Sequence, residues 1–434
     1  MKRTAATVAA ILAAALTGCS GQDQSPATAQ KPTGPVQIDY WSWTAGVDKQ
    51  VAAWNAAHPD VHVTYTNVAG DLAYDKMRAA TKAGNAPCLA RMDAMNTVTF
   101  AADGLLEDVG AYTAPLKDTF TQAAWNQVSP GGITVGLPQA SAPNFYAYRT
   151  DLFDEYGLQV PKTWDELIAT GEKAAAARKG TKIWNMAGED PSTFVGLSWQ
   201  AGATWYKAAG DHWEINFTSP ATLKAADVLQ RLIDHDLFSS ASYADPGVWK
   251  TWDDGTTISM GTSTWQLPIY AQNFPKTAGK WALAQLPQYT GASPSTDGGF
   301  TNAVVLKGCE HPEQAVRFAA WLATDPAPVK ALSDPNSGAG FFPALKDVNP
   351  YLADLAPKKM FGDVDSTRVI AQAAQTVNPT WQHGPNYATM YAEMQKLWPE
   401  VLGKKMKVTE MVNRLQQFTL DDLKAKGINA TAGA

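Results

Sequence analysis

From Val36 onward the chain alternates short segments of period-two polarity with longer segments that carry one apolar stripe. Val36–Trp43 (VQIDYWSW) alternates and is rich in β-formers, which predicts a strand, and Asp48 to Ala57 has helical spacing. Pro59–Asn67, Leu72–Gly84 and Leu89–Met92 follow as strand, helix and strand. A βαβαβ order of this kind predicts a parallel, doubly wound sheet, with ligand contacts from loops at the carboxyl ends of its strands. Trp41 or Trp43, Asp93 and Asn96 stand at such ends.

Further along, Ile133–Leu137 and Phe145–Arg149 read as short strands, followed by an amphipathic helix start and a Pro-marked turn. Thr163-Trp-Asp-Glu is a capping box: the Thr163 hydroxyl takes an orphan N–H and Glu166 reaches back over the first turn. Asp165–Lys179 is an Ala-rich helix, and Pro220 to His235 is one whose Ala225, Leu229, Leu232 and Ile233 define a buried face. Trp281–Pro287 is a strand with a Pro stop, Glu313–Thr324 a helix, and Tyr387–Leu402 and Thr409–Lys426 the closing helices. The sequence has no internal repeat.

The N-terminus fixes the compartment. Lys2-Arg3 precede an apolar stretch, Ala5–Leu16, that is shorter than the roughly 20 residues a spanning helix needs. Residues 1–18 therefore read as a cleaved signal, and 19–35, rich in Gln, Pro, Thr, Ala and Ser, as a disordered tether. The rest is too long for one core, since single cores stop growing near about 250–300 residues, so two lobes are expected. Net charge is −6, and without Lys2 and Arg3 there are 33 basic against 41 acidic residues. An acidic balance argues against nucleic acid or an anionic lipid surface as partner.

Motifs for catalysis are lacking. The His residues at 58, 62, 212, 235, 311 and 383 form no HExxH-like pair, so no metal is expected. Gly298-Gly299 lacks the further spaced glycine of a dinucleotide fingerprint, and no cofactor is expected. A secreted glycoside hydrolase would need two carboxylates across a cleft, for which Glu189, Asp190, Asp253 and Asp254 are candidates. Asp253-Asp254 precede Gly255 in a solvated turn, and carboxylates in a cleft also accept hydroxyl protons.

Gly132, Gly136-Leu-Pro138, Tyr148, Asp151-Leu-Phe153, Gly157-Leu158, Pro161 and Thr163-Trp-Asp-Glu-Leu167 resemble, in order, a segment of the extracellular sugar-binding proteins of ABC importers, relatives of maltose-binding protein. Arg149 stands where those relatives usually have Asn. Asp93 with Phe100-Ala-Ala-Asp-Gly-Leu-Leu106, the stretch Val248–Gly255 to Trp265, and the glycine-rich Asp297 to Leu306 resemble further elements of the same family. Leu16-Thr-Gly-Cys19 resembles the bacterial lipobox, which implies lipidation of Cys19.

The resemblance implies an α/β fold of two doubly wound lobes joined by a multi-segment hinge: lobe one 36–144 plus 300–376, lobe two 145–299 plus 377–429. Phe145–Arg149 would make the first crossing, Asp297 to Leu306 the return and Gln372–Trp381 a third. The implied function is to bind a sugar or oligosaccharide between the lobes and deliver it to ABC importer membrane subunits, as a monomer lipid-anchored on the extracytoplasmic face of the cell membrane. A sugar sensor or adhesion lipoprotein without an importer is the alternative non-enzymatic reading.

Sixteen Trp and fourteen Tyr suit such a ligand, although a Trp-rich core accounts for most of them. The expected platforms are Trp265, an aromatic wall of the sugar site in the family, and Trp381, then Trp43, Trp205 and Phe341 of the loop Gly338–Pro343. Asp93, Asn96, Asn144, Glu189 and Gly299 would supply hydrogen bonds. With Cys19 lipidated, Cys88 and Cys309 remain as an even pair, and the strands beside them are neighbours in the resembling family, which implies one disulfide.

Overall fold

The computed structural model describes residues 34–433 except 69, 243–244, 292–294, 337–338, 357 and 362–364. The signal segment, most of the tether and Cys19 lie outside the described residues. The first lobe is built on a six-stranded sheet in the spatial order Phe342–Pro343, Gly136–Ser141, Thr301–Val305, Leu89–Asp93, Val36–Ser42 and Val61–Asn67. Val36–Ser42 runs parallel to both its neighbours, in register Val36 with Val61 through Ser42 with Asn67. Thr301–Val305 runs antiparallel between Leu89–Asp93 and Gly136–Ser141.

Alternation assigns the two faces of this sheet. Ile38, Tyr40 and Leu89 pack with Val47, Val51 and Trp54 of helix Val47–Ala57 and with Phe318 of helix Pro312–Thr324. Ala90 and Met92, one residue out of phase, pack with Ala73, Met77 and Phe100 on the other face. Thr301–Val305, covered on both faces, is buried throughout. Gly136 is required beside it: a Cβ there would stand 2.0 Å from the Ala303 carbonyl oxygen. The strand expected at Ile133–Leu137 starts three residues later, at Gly136, because Pro130–Gly132 form a tight turn with Gly131 and Gly132 at positive φ.

The second lobe is a mixed sheet rather than a parallel one. Phe145–Arg149 lies antiparallel between Ser259–Thr262 and Trp281–Ala284. Trp184–Asn185 and Phe238–Ser239 extend it in parallel through the Lys182–Thr257 bridge. The reason is directional: Phe145–Arg149 carries the chain away from the first lobe, whereas Ser259–Thr262 returns toward it. Helix Trp164–Ala177 starts as expected, with Thr163 Oγ1 accepting from Glu166 N at 3.1 Å, while Glu166 accepts from Lys162 N, one residue before the cap. An unexpected hairpin, Tyr206–Ala209 with His212–Ile215, pairs with the C-terminal strand Ala430–Ala432.

Three crossings join the lobes and are knitted to one another. Pro143 bridges Asp297 and Ser295 bridges Val377. Asn126 and Gln127 of lobe one reach the carbonyls of Pro379 and Trp381. Helices Lys358–Phe361 and Ser366–Gln375, expected in lobe one, pack instead on Trp281–Ala284 of lobe two, where Gly279 N donates to Met360 O and Gln285 Nε2 to Val369 O, so the chain leaves lobe one before them. Far from the crossings, Cys88 and Cys309 form the expected disulfide, with Cα atoms 4.6 Å apart. Leu306 N donates to Cys88 O beside it. Among the described residues no helix is long and apolar enough to cross a membrane.

Candidate functional site

Between the lobes lies a cleft of about 990 Å³. It is open where the carboxyl ends of the lobe-one strands meet the loops after Ser259–Thr262 and around Gly298. Six of the ten expected contact residues line it: Trp43, Asp93, Asn144, Trp265, Gly299 and Phe341. Trp265 projects from the turn Thr264–Gln266, which Ser263 and Gln266 hold by a reciprocal capping box. Its ring remains 42% exposed, unusual for the largest apolar side chain. Phe341 lines the same cleft from lobe one, while its neighbour Phe342 is buried in the sheet edge.

The other four are placed elsewhere. Trp205 is fully buried, with Nε1 donating to Thr222 Oγ1 at 3.0 Å and its ring against Phe217. Trp381, 1% exposed, stacks on Trp199 at 5.2 Å. It is Trp199 that reaches the cleft. Glu189 accepts from Ser242 Oγ outside the cleft, and Asp190 takes the inward position instead. Asn96 sits on helix Ala94–Ala102 turned from the cavity, where Met95 lines it. Of the carboxylates considered for hydrolysis, only Asp190 lines the cleft, and it is engaged by Tyr391 Oη at 2.6 Å and Ser192 N at 2.9 Å.

Sequence reasoning missed Arg91, Tyr387 and Tyr391 as lining residues, and considered Asp190 only as a carboxylate for hydrolysis. The two tyrosines had a legible signal, since a spacing of four places both on one face of helix Tyr387–Leu402. Beside them His383 is half-buried, and loss of water around the ring pushes its imidazole down to about 3, so it is neutral at ordinary pH. Gln127 Nε2 donates to the Ala123 and Trp381 carbonyls, so Gln127 Oε1 is an acceptor for His383 Nδ1 at 2.9 Å. That leaves Nε2 of His383 as its acceptor.

The floor of the cleft is the crossing itself. Asp297 accepts from Ser141 Oγ, from Ala142 N at 2.9 Å and from Gly299 N at 2.9 Å. Asn144 Nδ2 donates to Thr296 Oγ1 at 2.9 Å, and a side chain at Gly298 would meet Asn144 Oδ1 at 2.8 Å. Burial outweighs the three donors and pushes the Asp297 carboxyl up from 3.8 to about 6. A pKa raised on folding contributes stability that is complete below about pH 4 and is lost as pH rises through 6. The loss from this one group is on the order of 3 kcal/mol at most, at 1.36 kcal/mol per unit. Denaturant titrations of wild type and Asp297→Asn from pH 4 to 7 should differ by a pH-dependent component of that sign. Parallel pH profiles would remove it.

Comparison with known proteins matches this architecture. The profile of the bacterial extracellular solute-binding protein family covers residues 40–327. The arabinooligosaccharide-binding protein of Halalkalibacterium halodurans is 24% identical over 307 residues, 66% of this chain and 67% of that protein. An uncharacterized lipoprotein in the oleD 5' region of Streptomyces antibioticus is 25% identical over 342 residues, 74% of this chain and 72% of that protein. Among solved structures, the galacto-N-biose/lacto-N-biose I-binding protein of the Bifidobacterium longum ABC transporter, in complex with lacto-N-biose, superposes with a TM-score of 0.81. It is 27% identical, and the match covers 92% of this chain and 100% of that one. A profile matching well over half of the chain, on a fold of two lobes joined by three crossings, means that the chain belongs to the bacterial extracellular solute-binding protein family.

Proposed function

We propose that the protein binds a sugar or oligosaccharide between its lobes and hands it to the membrane subunits of an ABC importer. The observation that carries this reading is the cleft wall: Trp265, exposed, lines a cavity of about 990 Å³ together with Phe341 and with the hydroxyl, amide and carboxylate groups of Ser141, Asn144, Asp93 and Asp297. Apolar C–H faces of a sugar need such rings, and its hydroxyl rim needs donors and acceptors. Relatives that are named for arabinooligosaccharide or lacto-N-biose binding support the same substrate class. The site residues of the reading are Trp265, Phe341, Asp93, Asn144 and Gly299, with Trp43 beside them.

The two bodies, one built on the six-stranded sheet and the other on Phe145–Arg149 and its neighbours, close over the ligand because it contacts both at once. The protein binds without turnover and acts as a monomer. It is held by a lipid on Cys19 at the extracytoplasmic face of the membrane. A relative described as a lipoprotein supports the anchor. A single acyl chain is marginal, so the anchor carries more than one. Retention of Cys19→Ser at the membrane would overturn it.

A panel of neutral mono- and oligosaccharides, read by calorimetry and thermal shift, tests the substrate class. A true ligand at a hundredfold excess over Kd adds about 2.7 kcal/mol of stability. Neither heat nor shift across the panel would overturn the reading, and release of reducing sugar from a bound oligosaccharide would favour the hydrolase.

A further inference from the structure

Arg91 occupies an inward position on Leu89–Asp93, one strand residue pair before Asp93. Its Cζ lies 4.2 Å above the Trp43 ring and 5.5 Å from the Phe341 ring. The side chain is 13% exposed. Its polar contacts are long: Nη2 stands 3.4 Å from Thr301 Oγ1 and 3.5 Å from Asp93 Oδ1. Nε is buried with no hydrogen-bond partner among the described residues. An arginine in this state is held by its flat surface and keeps donors available in the cleft.

Trp43 is committed to that task. A methyl at Gly70 would touch Nε1, Cδ1 and Cε2 of the indole at nearly equal distances of 3.6–3.7 Å, so the backbone lies over its pyrrole. Tyr74 meets the ring edge-on at 5.8 Å, and the guanidinium covers the ring face. Trp43 is thus a pedestal and not a free platform for a sugar. Asp93 is arranged in a complementary way. Its Oδ2 accepts from Tyr74 Oη at 2.7 Å, whereas Oδ1 has only the long contact to Arg91, and the side chain is 42% exposed.

We infer that Arg91, carried on Trp43, is a specificity-determining residue: its guanidinium donates to a vicinal pair of hydroxyl oxygens on an uncharged sugar while Asp93 Oδ1 accepts a hydroxyl proton from the same pair. The inference rests on the carbohydrate reading above. A donor fork next to a carboxylate acceptor matches hydroxyls, which both give and take, and disfavours a ligand carboxylate, which Asp93 repels.

The test uses the tightest-binding sugar of the panel together with its monodeoxy analogues and its uronic acid. Wild type should lose roughly tenfold or more on removal of either of two adjacent hydroxyls, and should bind the uronic acid more weakly than the parent. Arg91→Met should bind the parent roughly tenfold or more weakly and become indifferent to those two hydroxyls. Arg91→Lys, which keeps the charge without the planar fork, should not restore them. Trp43→Phe, which keeps a ring under the guanidinium, should retain most of the affinity. Parent affinity unchanged in Arg91→Met, or an identical deoxy-sugar profile in wild type and variant, overturns the assignment while sugar binding stands. Wild type that binds no sugar overturns both. Ligand-free melting curves of the variants separate loss of fold from loss of contact.

Discussion

Trp265→Ala is expected to weaken sugar binding at least tenfold and to leave the ligand-free melting temperature nearly unchanged. The ring is 42% exposed, so its removal opens no cavity in the core and takes little from folding. The turn that carries it does not depend on it: Ser263 N donates to Gln266 Oε1 at 3.1 Å and the cap is closed without the indole. In the closed complex the same ring would be covered by a sugar face. Burial of a large side chain is worth about 1.5–3 kcal/mol, a factor of roughly ten to a hundred in affinity. The same truncation at Trp381, 1% exposed and stacked on Trp199, would act on the fold first. Titration calorimetry beside a melting curve separates the two cases. Unchanged affinity of Trp265→Ala would remove this residue from the site.

Cleavage of the Cys88–Cys309 bond should have the opposite signature, a large loss of stability with affinity preserved. The two cysteines are 221 residues apart in sequence, and closure of a loop of that length stabilises by about 2–5 kcal/mol in the chain-entropy account. Cys88 precedes Leu89–Asp93, and the cleft begins at the other end of that strand, with Asp93. Reduction therefore loosens the distal edge of lobe one and leaves the contact residues in place. A melting temperature that does not move on reduction, or two separately alkylated peptides in a non-reduced digest, would remove the bond from the account.

The first lobe was largely legible because a two-faced sheet imposes period two on Val36–Ser42 and Val61–Asn67, and because Cys88 and Cys309 flank strands that are neighbours in the family the sequence resembles. The aromatic part of the site was only half legible. In sequence all tryptophans look alike; in the structure several are committed to the core by donating Nε1 to a buried acceptor, as Trp205 does to Thr222, Trp199 to the Asn378 carbonyl and Trp398 to the Ala187 carbonyl. Such partners lie far along the chain and cannot be read from spacing. Glu189 and Asp190 show the same limit at closer range, since the facing of one residue in a loop depends on the acceptor needs of Tyr391. The hairpin Tyr206–Ile215 did leave a trace, a Gly-Asp turn with Gly210 at φ 64.

The strand at the middle of the lobe-one sheet, Thr301–Val305, has a temporal meaning as well as a spatial one. A chain made from its N-terminus presents Leu89–Asp93 and Gly136–Ser141 long before the strand that pairs with both. Until some two hundred further residues have passed, each presents an unpaired edge to the other, and the lobe has no complete core. Non-local pairing of this kind makes folding slow. Late completion leaves those edges open to association with other chains for longer. The long excursion through lobe two thus delays closure of the lobe-one sheet, whose edge strand Phe342–Pro343 arrives later still.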